Sequence, residues 1–233
     1  MHTFTDHTAG VLCLEMTSPD VFASGSADNT IKLWSISDRQ SFKTLTGHTN
    51  DVSSLKYLTD GTLASGSTDA LVKIWNLKTG ALIKNLYGHV TTINSIEQID
   101  SNMIVSSVGF IIKWNIAAGN YYDMFTNHAG VIYSLKYLNN SELASSGDDG
   151  KVEISNVQTK ALLKTFSSHT DQVRALHVID SNRLASGSGD KTIKIWDISK
   201  TALIKTIAGH SQEVLSLTAV DELVEGNLIK FYF

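Results

Sequence analysis

The stretch GHTNDVSSLKYLTDGTLASGSTDALVKIWNL, Gly47 to Leu77, decides the fold, because it aligns without a gap on SHTDQVRALHVIDSNRLASGSGDKTIKIWDI, Ser168 to Ile198. Two distant stretches in one frame indicate a repeating unit, and a fixed period changes how every residue is read. Histidine marks that period. His7, His48, His89, His128, His169 and His210 lie 41, 41, 39, 41 and 41 residues apart, so six of the eight histidines hold one position in the unit. Only His2 and His177 fall outside it.

Within a unit the pattern is that of short strands. DVSSLKY alternates, TLASGS is small and compatible with a strand, LVKIWNL is rich in branched and aromatic residues, and ALIKNLY alternates again. Turn formers separate them: TDG from Thr59, TDA from Thr68, KTG from Lys78 and the Gly-His pair itself. No window shows sustained helical periodicity. The unit therefore reads as a four-stranded antiparallel meander. One such sheet cannot bury both faces alone, whereas six arranged radially would bury them, the propeller solution among all-β architectures.

Composition narrows the function classes. The chain has 233 residues, 42% of them apolar, and a formal net charge of -4 without a long run of Lys and Arg. That balance gives no overall attraction to a phosphate backbone or an anionic membrane, so neither nucleic acid nor membrane is expected as a partner. The single cysteine, Cys13, cannot form an internal disulfide. The opening MHTFTDHTAG has neither a basic start nor an apolar core. The cytoplasm or the nucleus is the expected location.

The succession of Gly-His, LASGS, Asp and IKIWD resembles the WD-repeat (WD40) signature, and the resemblance runs through essentially the whole chain. It implies a buried hydrogen-bonded tetrad of His, Ser, Asp and Trp in each unit. Position by position, the first unit carries His7, Ser24, Asp28 and Trp34, the second His48, Ser65, Asp69 and Trp75, and the fifth His169, Ser186, Asp190 and Trp196. The third has lost the Asp and keeps His89, Ser106 and Trp114. The fourth keeps His128, Ser145 and Asp149 but has Ser155 where Trp belongs. The sixth keeps His210, has no Asp and places Tyr232 at the Trp position. The incomplete blades are expected to be looser than the other three.

The implied fold is a single six-bladed propeller over residues 1–233, with blades at 7–46, 47–87, 88–126, 127–167, 168–208 and 209–233, the last completed by residues 2–5. HTFTDH from His2 aligns on KTLTGH from Lys43, a fourth strand with no blade before it, and LIKFYF at the end aligns on TIKIWDI. Pairing these termini would remove the sheet edges that an open ring leaves. GNLIKFYF, Gly226 to Phe233, reads as the closing strand.

The spacing of the histidines places each in a different blade and argues against a metal site or a hydrolase. His2 and His177 have no Cys nearby, no His at a ligand spacing and no H-E-x-x-H pattern. The recurring SGS belongs to a strand rather than to a nucleophile elbow, and SGSGDK from Ser186 lacks the frame of a phosphate loop. Cys13, inside the apolar VLCLEM, reads as packing. No catalytic residue, metal or cofactor is expected. What remains is a ring surface. In WD-repeat proteins partners dock on the face made by the turns around the His and the Asp. Carried onto this chain, that face includes Leu12, Asp51, Asn94, Tyr133, Asp148, Gln172, Arg174 and Glu213. Tyr133 and Arg174 hold one slot in neighbouring units and are of the types enriched at binding hot spots, though both are also ordinary residues of a solvated rim. The expectation is a monomeric scaffold that binds proteins or peptides within a larger complex. The alternatives are the substrate-recognition subunit of an assembly such as a ubiquitin ligase, or a propeller enzyme of hydrolase or lyase type.

Overall fold

The structure, a computed structural model, describes residues 3–218. The sequence expectations for His2, Tyr232 and the closing strand at Gly226 to Phe233 lie outside the described residues. The chain divides into two compact units, one ending at Met124 and the other beginning at Phe125.

Among the described residues there is no helix, and every regular element is a strand. In the first unit, β1 (Val11–Ser18), β2 (Val21–Ser26), β3 (Ile31–Ser35) and β4 (Gln40–Leu45) form one sheet in chain order. The second sheet is β5 (Val52–Tyr57), β6 (Thr62–Ser67), β7 (Leu71–Asn76) and β8 (Leu82–Tyr87). The third is β9 (Ser95–Asp100), β10 (Met103–Ser107), β11 (Ile111–Asn115) and β12 (Asn120–Phe125), whose last residue crosses into the next unit. The second unit holds β13 (Ile132–Tyr137), β14 (Glu142–Gly147), β15 (Val152–Asn156) and β16 (Leu162–Phe166). Its other sheet is β17 (Val173–Val178), β18 (Arg183–Ser188), β19 (Ile193–Asp197) and β20 (Ala202–Ile207). The fold is thus all-β, built from five four-stranded antiparallel meanders. Residues 209–218, the described part of the sixth repeat, carry no strand.

Registers repeat from sheet to sheet. In the second sheet Ser65 pairs with both Leu55 and Lys73, and in the fifth Ser186 pairs with both Leu176 and Lys194. The hydroxyl of LASGS therefore lies mid-sheet, beside the first and third strands. Apolar residues of consecutive sheets interlock into shared cores. One core joins Ala64, Val72, Ile74 and Leu86 of the second sheet to Ile104, Ile112 and Trp114 of the third. Another joins Val152, Ile154 and Phe166 of the fourth to Val173, Leu176 and Trp196 of the fifth.

The glycine of SGS shows how tightly the sheets meet. A Cβ at Gly25 would come within 2.6 Å of Val52 Cγ1, at Gly66 within 2.5 Å of Ile93 Cγ2, and at Gly187 within 2.5 Å of Val214 Cγ1. Val52, Ile93 and Val214 each stand four residues after the repeat His. Glycine is required there because the next repeat's first branched side chain fills the space of the missing methyl, as close-packed interiors demand. The described start of the sixth repeat obeys the same rule: Val214 and Leu217 join Ala175, Ala185, Ile193 and Ile195 in one core.

Candidate functional site

Each complete tetrad begins in a turn. The residue after the turn Asp has a left-handed backbone in four sheets, with φ of 68° at Asn29, 67° at Ala70, 72° at Gly150 and 67° at Lys191. The Asp side chain holds that turn by accepting from the N–H two residues on: Thr30 N to Asp28 Oδ1 at 3.0 Å, Leu71 N to Asp69 Oδ1 at 3.0 Å and Thr192 N to Asp190 Oδ1 at 2.9 Å. Its other oxygen accepts from the repeat His and from the N–H following it. For Asp69 these are His48 Nδ1 at 2.8 Å and Thr49 N at 3.0 Å.

Protons then have one consistent arrangement. Because Nδ1–H donates to the Asp, His Nε2 must accept, so the Ser hydroxyl donates to it while receiving the indole N–H. The distances from His Nε2 to Ser Oγ and from Trp Nε1 to Ser Oγ are 2.6 and 2.7 Å in the first sheet, 2.7 and 2.8 Å in the second, and 2.7 and 2.7 Å in the fifth. Every donor and acceptor of the set is used. Burial pushes the His48 and His169 imidazoles below their ordinary range, an effect the adjoining Asp partly offsets. For Asp190 burial acts upward, but hydrogen bonds from Thr192, His169 and Thr170 outweigh it and hold the carboxyl at about 2. In the second and fifth repeats the tetrad is a neutral imidazole on an ionised carboxylate. It braces the turn against the sheet and leaves no group free for chemistry.

The third and fourth repeats differ from this pattern. His89 Nε2 still lies 2.7 Å from Ser106 Oγ, which accepts from Trp114 Nε1 at 2.7 Å. Its Nδ1, however, is buried with no partner, and Phe110 stacks on the ring at a centroid distance of 5.5 Å. Burial without a carboxylate lowers its pKa to about 4. In the fourth repeat His128 Nδ1 meets Asp149 Oδ1 at 2.9 Å and Nε2 meets Ser145 Oγ at 2.9 Å. Ser155, in the indole's place, instead accepts from Asn127 Nδ2 at 2.7 Å. Glu153, 2% exposed, brings Oε2 to 3.7 Å from His128 Nε2. His128, Asp149 and Glu153 offer ligand atoms all within 4.8 Å of one another, but Asp149 sits on Nδ1 and Glu153 faces Nε2 of the same ring, so the three groups cannot ligate one cation. The signal available in the sequence is the strand VEIS, where other repeats read IKLW, VKIW, IKW or IKIW.

The proposed contact residues fall in both units. In the second unit five of them form one network. Tyr133 on β13 donates its hydroxyl to Asp148 Oδ1 at 2.6 Å and lies 3.1 Å from Gln172 Oε1. The Arg174 guanidinium on β17 sits 4.6 Å from the centre of the Tyr133 ring, and its Nε lies 3.6 Å from Glu213 Oε2. The last is an ion pair too long for a hydrogen bond, with Arg174 and Glu213 side chains 32% and 44% exposed. Burial and the Asp148 carboxylate raise the Tyr133 pKa, so the phenol remains a donor at neutral pH. Leu12, Asp51 and Asn94 belong to the first unit. Leu12 is 51% exposed, the Asp51 carbonyl accepts from Thr68 N at 2.9 Å, and Asn94 N donates to the Ser107 carbonyl at 2.9 Å. Burial pushes the Cys13 thiol up to about 12, so it stays protonated.

A protein-family model described as WD domain, G-beta repeat matches the chain at residues 1–35, 39–76 and 160–197. No curated protein sequence matches it. The three matched segments each contain one complete tetrad.

Proposed function

We propose, from the premise that this is a WD-repeat protein, that the chain is a non-catalytic scaffold docking protein partners on the face around Tyr133 and Arg174. WD repeats generally serve as protein-interaction scaffolds and not as catalysts. The observation that carries the finer reading is the network of Tyr133, Arg174, Asp148, Gln172 and Glu213: an aromatic ring, a guanidinium and two carboxylates held in fixed geometry at a partly exposed surface. Tyr and Arg are enriched at hot spots, and the Arg174 guanidinium held over the Tyr133 ring leaves less ordering to be done on binding. The test is an affinity capture with quantitative mass spectrometry, comparing wild type with a Tyr133→Ala, Arg174→Ala double variant and with Lys78→Ala as a control. Partners held through this face fall at least tenfold in recovery with the double variant and are unchanged with the control. Equal recovery of every partner by all three proteins would sink the proposed face.

The scaffold reading includes a propeller of six blades, with a further blade beside β1. Two contrasts support it. Val11 and Leu14 on β1 are 50% and 64% exposed, while Val52 and Leu55 in the same slots of the second sheet are 0% and 7% exposed, so β1 presents the face that another blade would cover. Phe4, aligned with Leu45 and Phe166, lies 5.2 Å from the Trp34 ring, the distance that separates Phe166 from Trp196. The N-terminal residues thus pack on the first tetrad's Trp as the last strand of a preceding blade would.

A further inference from the structure

A second site lies in the third repeat, where an aromatic ring stands in place of an anion. In the first, second, fourth and fifth repeats the residue 21 positions after the His is the turn Asp, and its carboxylate takes His Nδ1 at 2.7, 2.8, 2.9 and 2.7 Å. In the complete tetrads the N–H of the residue after the His shares that carboxylate, from Thr8, Thr49 and Thr170 at 3.0, 3.0 and 3.1 Å. In the third repeat the same count falls on Phe110. Two donors thereby lose one acceptor.

The donors themselves are kept in place. His89 Nε2 and Trp114 Nε1 each meet Ser106 Oγ at 2.7 Å, so the Ser hydroxyl donates to Nε2 and Nδ1 carries the ring proton. The imidazole meets the indole at 6.0 Å and 56°, against 6.1 Å and 58° for His48 and Trp75, so the ring holds the orientation of a complete tetrad. Its Nδ1–H belongs to a side chain only 7% exposed and has no hydrogen-bond partner. The N–H of Val90, a residue 81% exposed, makes no hydrogen bond among the described residues. Phe110 does not substitute for the acceptor. Its ring stacks on the imidazole with 23° between the planes, whereas the N–H bond lies in the imidazole plane and points past the stacked face. A buried donor without an acceptor is costly, and any acceptor that reaches it removes the cost.

We propose that the third repeat binds an Asp or Glu side chain of a partner protein, whose carboxylate takes His89 Nδ1 and Val90 N in the place that the turn Asp holds elsewhere. A carboxylate suits the site better than a neutral carbonyl, because hydrogen bonds to an ionised acceptor are about twice as strong. Phe110 is the cover. It is half-buried in the three-residue turn between β10 and β11, and its rotation off the imidazole uncovers the ring beside the exposed Val90. The site lies wholly in the first unit, whereas Tyr133 and Arg174 belong to the second, so it is a further contact and not a part of that network.

NMR titration of the full chain with N-acetylaspartate amide, followed through the Val90 amide and His89 imidazole signals, tests this. Saturable shifts at both groups are expected in the millimolar range. N-acetylasparagine amide, isosteric and uncharged, is expected to bind about tenfold more weakly, the difference between a charged and a neutral acceptor. His89→Phe removes the donor and is expected to abolish the Val90 shift, while Phe110→Ala removes the cover and is expected to tighten binding several-fold. Absence of saturable shifts in both wild type and Phe110→Ala would overturn the proposal and leave the His89 donor without a role in recognition. Undiminished binding by His89→Phe would overturn it equally. Shifts with N-acetylglycine and none with N-acetylaspartate amide would give the site to a chain's terminal carboxylate and overturn the side-chain assignment.

Discussion

The second and third repeats are neighbours with the same four strands and the same buried tryptophan, yet only one of them satisfies its histidine. His48 has Asp69 on Nδ1, whereas His89 has an orphaned Nδ1 against Phe110. The third sheet nevertheless forms, with β10 paired to both β9 and β11 through Ser106. The contrast separates two jobs. Backbone pairing and the interlocked apolar core make the sheet, while the aspartate neutralises polarity that the core would otherwise bury unpaired. Among the described residues, the buried side-chain polar atoms without a partner are His89 Nδ1 and Ser107 Oγ in the third repeat, Ser146 Oγ and Glu153 Oε2 in the fourth, and Arg174 Nε on the proposed docking face. None belongs to a complete tetrad.

The strongest way to break the comparison is to impose the fourth repeat's loss on a complete one. Trp75 is 1% exposed, packs in the core with Leu45 and Leu63, and donates to Ser65. Trp75→Ala is expected to cost about 3 to 5 kcal/mol in urea denaturation, by lost burial and a residual cavity. Ser155→Ala, at the same slot in the fourth sheet, removes only the bond from Asn127 and is expected to cost about 1 kcal/mol. Equal costs would mean that the tetrad is incidental to stability.

Acid comes next. The folded His89 holds a pKa of about 4 against an ordinary value of 6.5, because burial disfavours its charge. The unfolded chain therefore takes up the proton first as pH falls. Stability from this residue is complete above pH 6.5 and is lost between there and about pH 4, by roughly 3 kcal/mol at most. His89→Phe, whose ring cannot titrate, is expected to flatten this part of the stability curve between pH 4 and 7. A slope unchanged by the substitution would show that the orphaned nitrogen is hydrated and not desolvated.

Most of this architecture is legible in the sequence because the period is enforced by chemistry at every level. The 41-residue spacing of the histidines, the SGS glycine under the next repeat's Val or Ile, and the Asp at a left-handed turn are each a residue type that one geometry demands. The fourth repeat was harder to read. Ser155 stands out as a missing tryptophan, but Glu153 looks like an ordinary strand residue until the register places it beside Ser145 and the ring of His128. A substitution of Lys by Glu carries no meaning in one dimension, since its consequence depends on burial and on a histidine 25 positions away. The docking network was partly legible: Tyr133 and Arg174 share a slot, but the stacking of one on the other follows from the packing of β13 beside β17.

The finest test of the comparison exchanges single methyl and hydroxyl groups at the glycine of SGS. Gly66→Ala would drive a methyl into Ile93 and is expected to destabilise by about 1 to 3 kcal/mol, the usual range for overpacking a close-packed contact. The fourth repeat carries Ser146 at the same slot, fully buried, with its hydroxyl unpaired. Because the backbone there already tolerates a Cβ, Ser146→Ala removes only the desolvated hydroxyl and is expected to stabilise by about 1 kcal/mol. Opposite signs at one slot would show that the two repeats meet their neighbours at different spacings. If both substitutions destabilise, Ser146 Oγ is satisfied by water, and the contrast between complete and incomplete repeats narrows to the histidine alone.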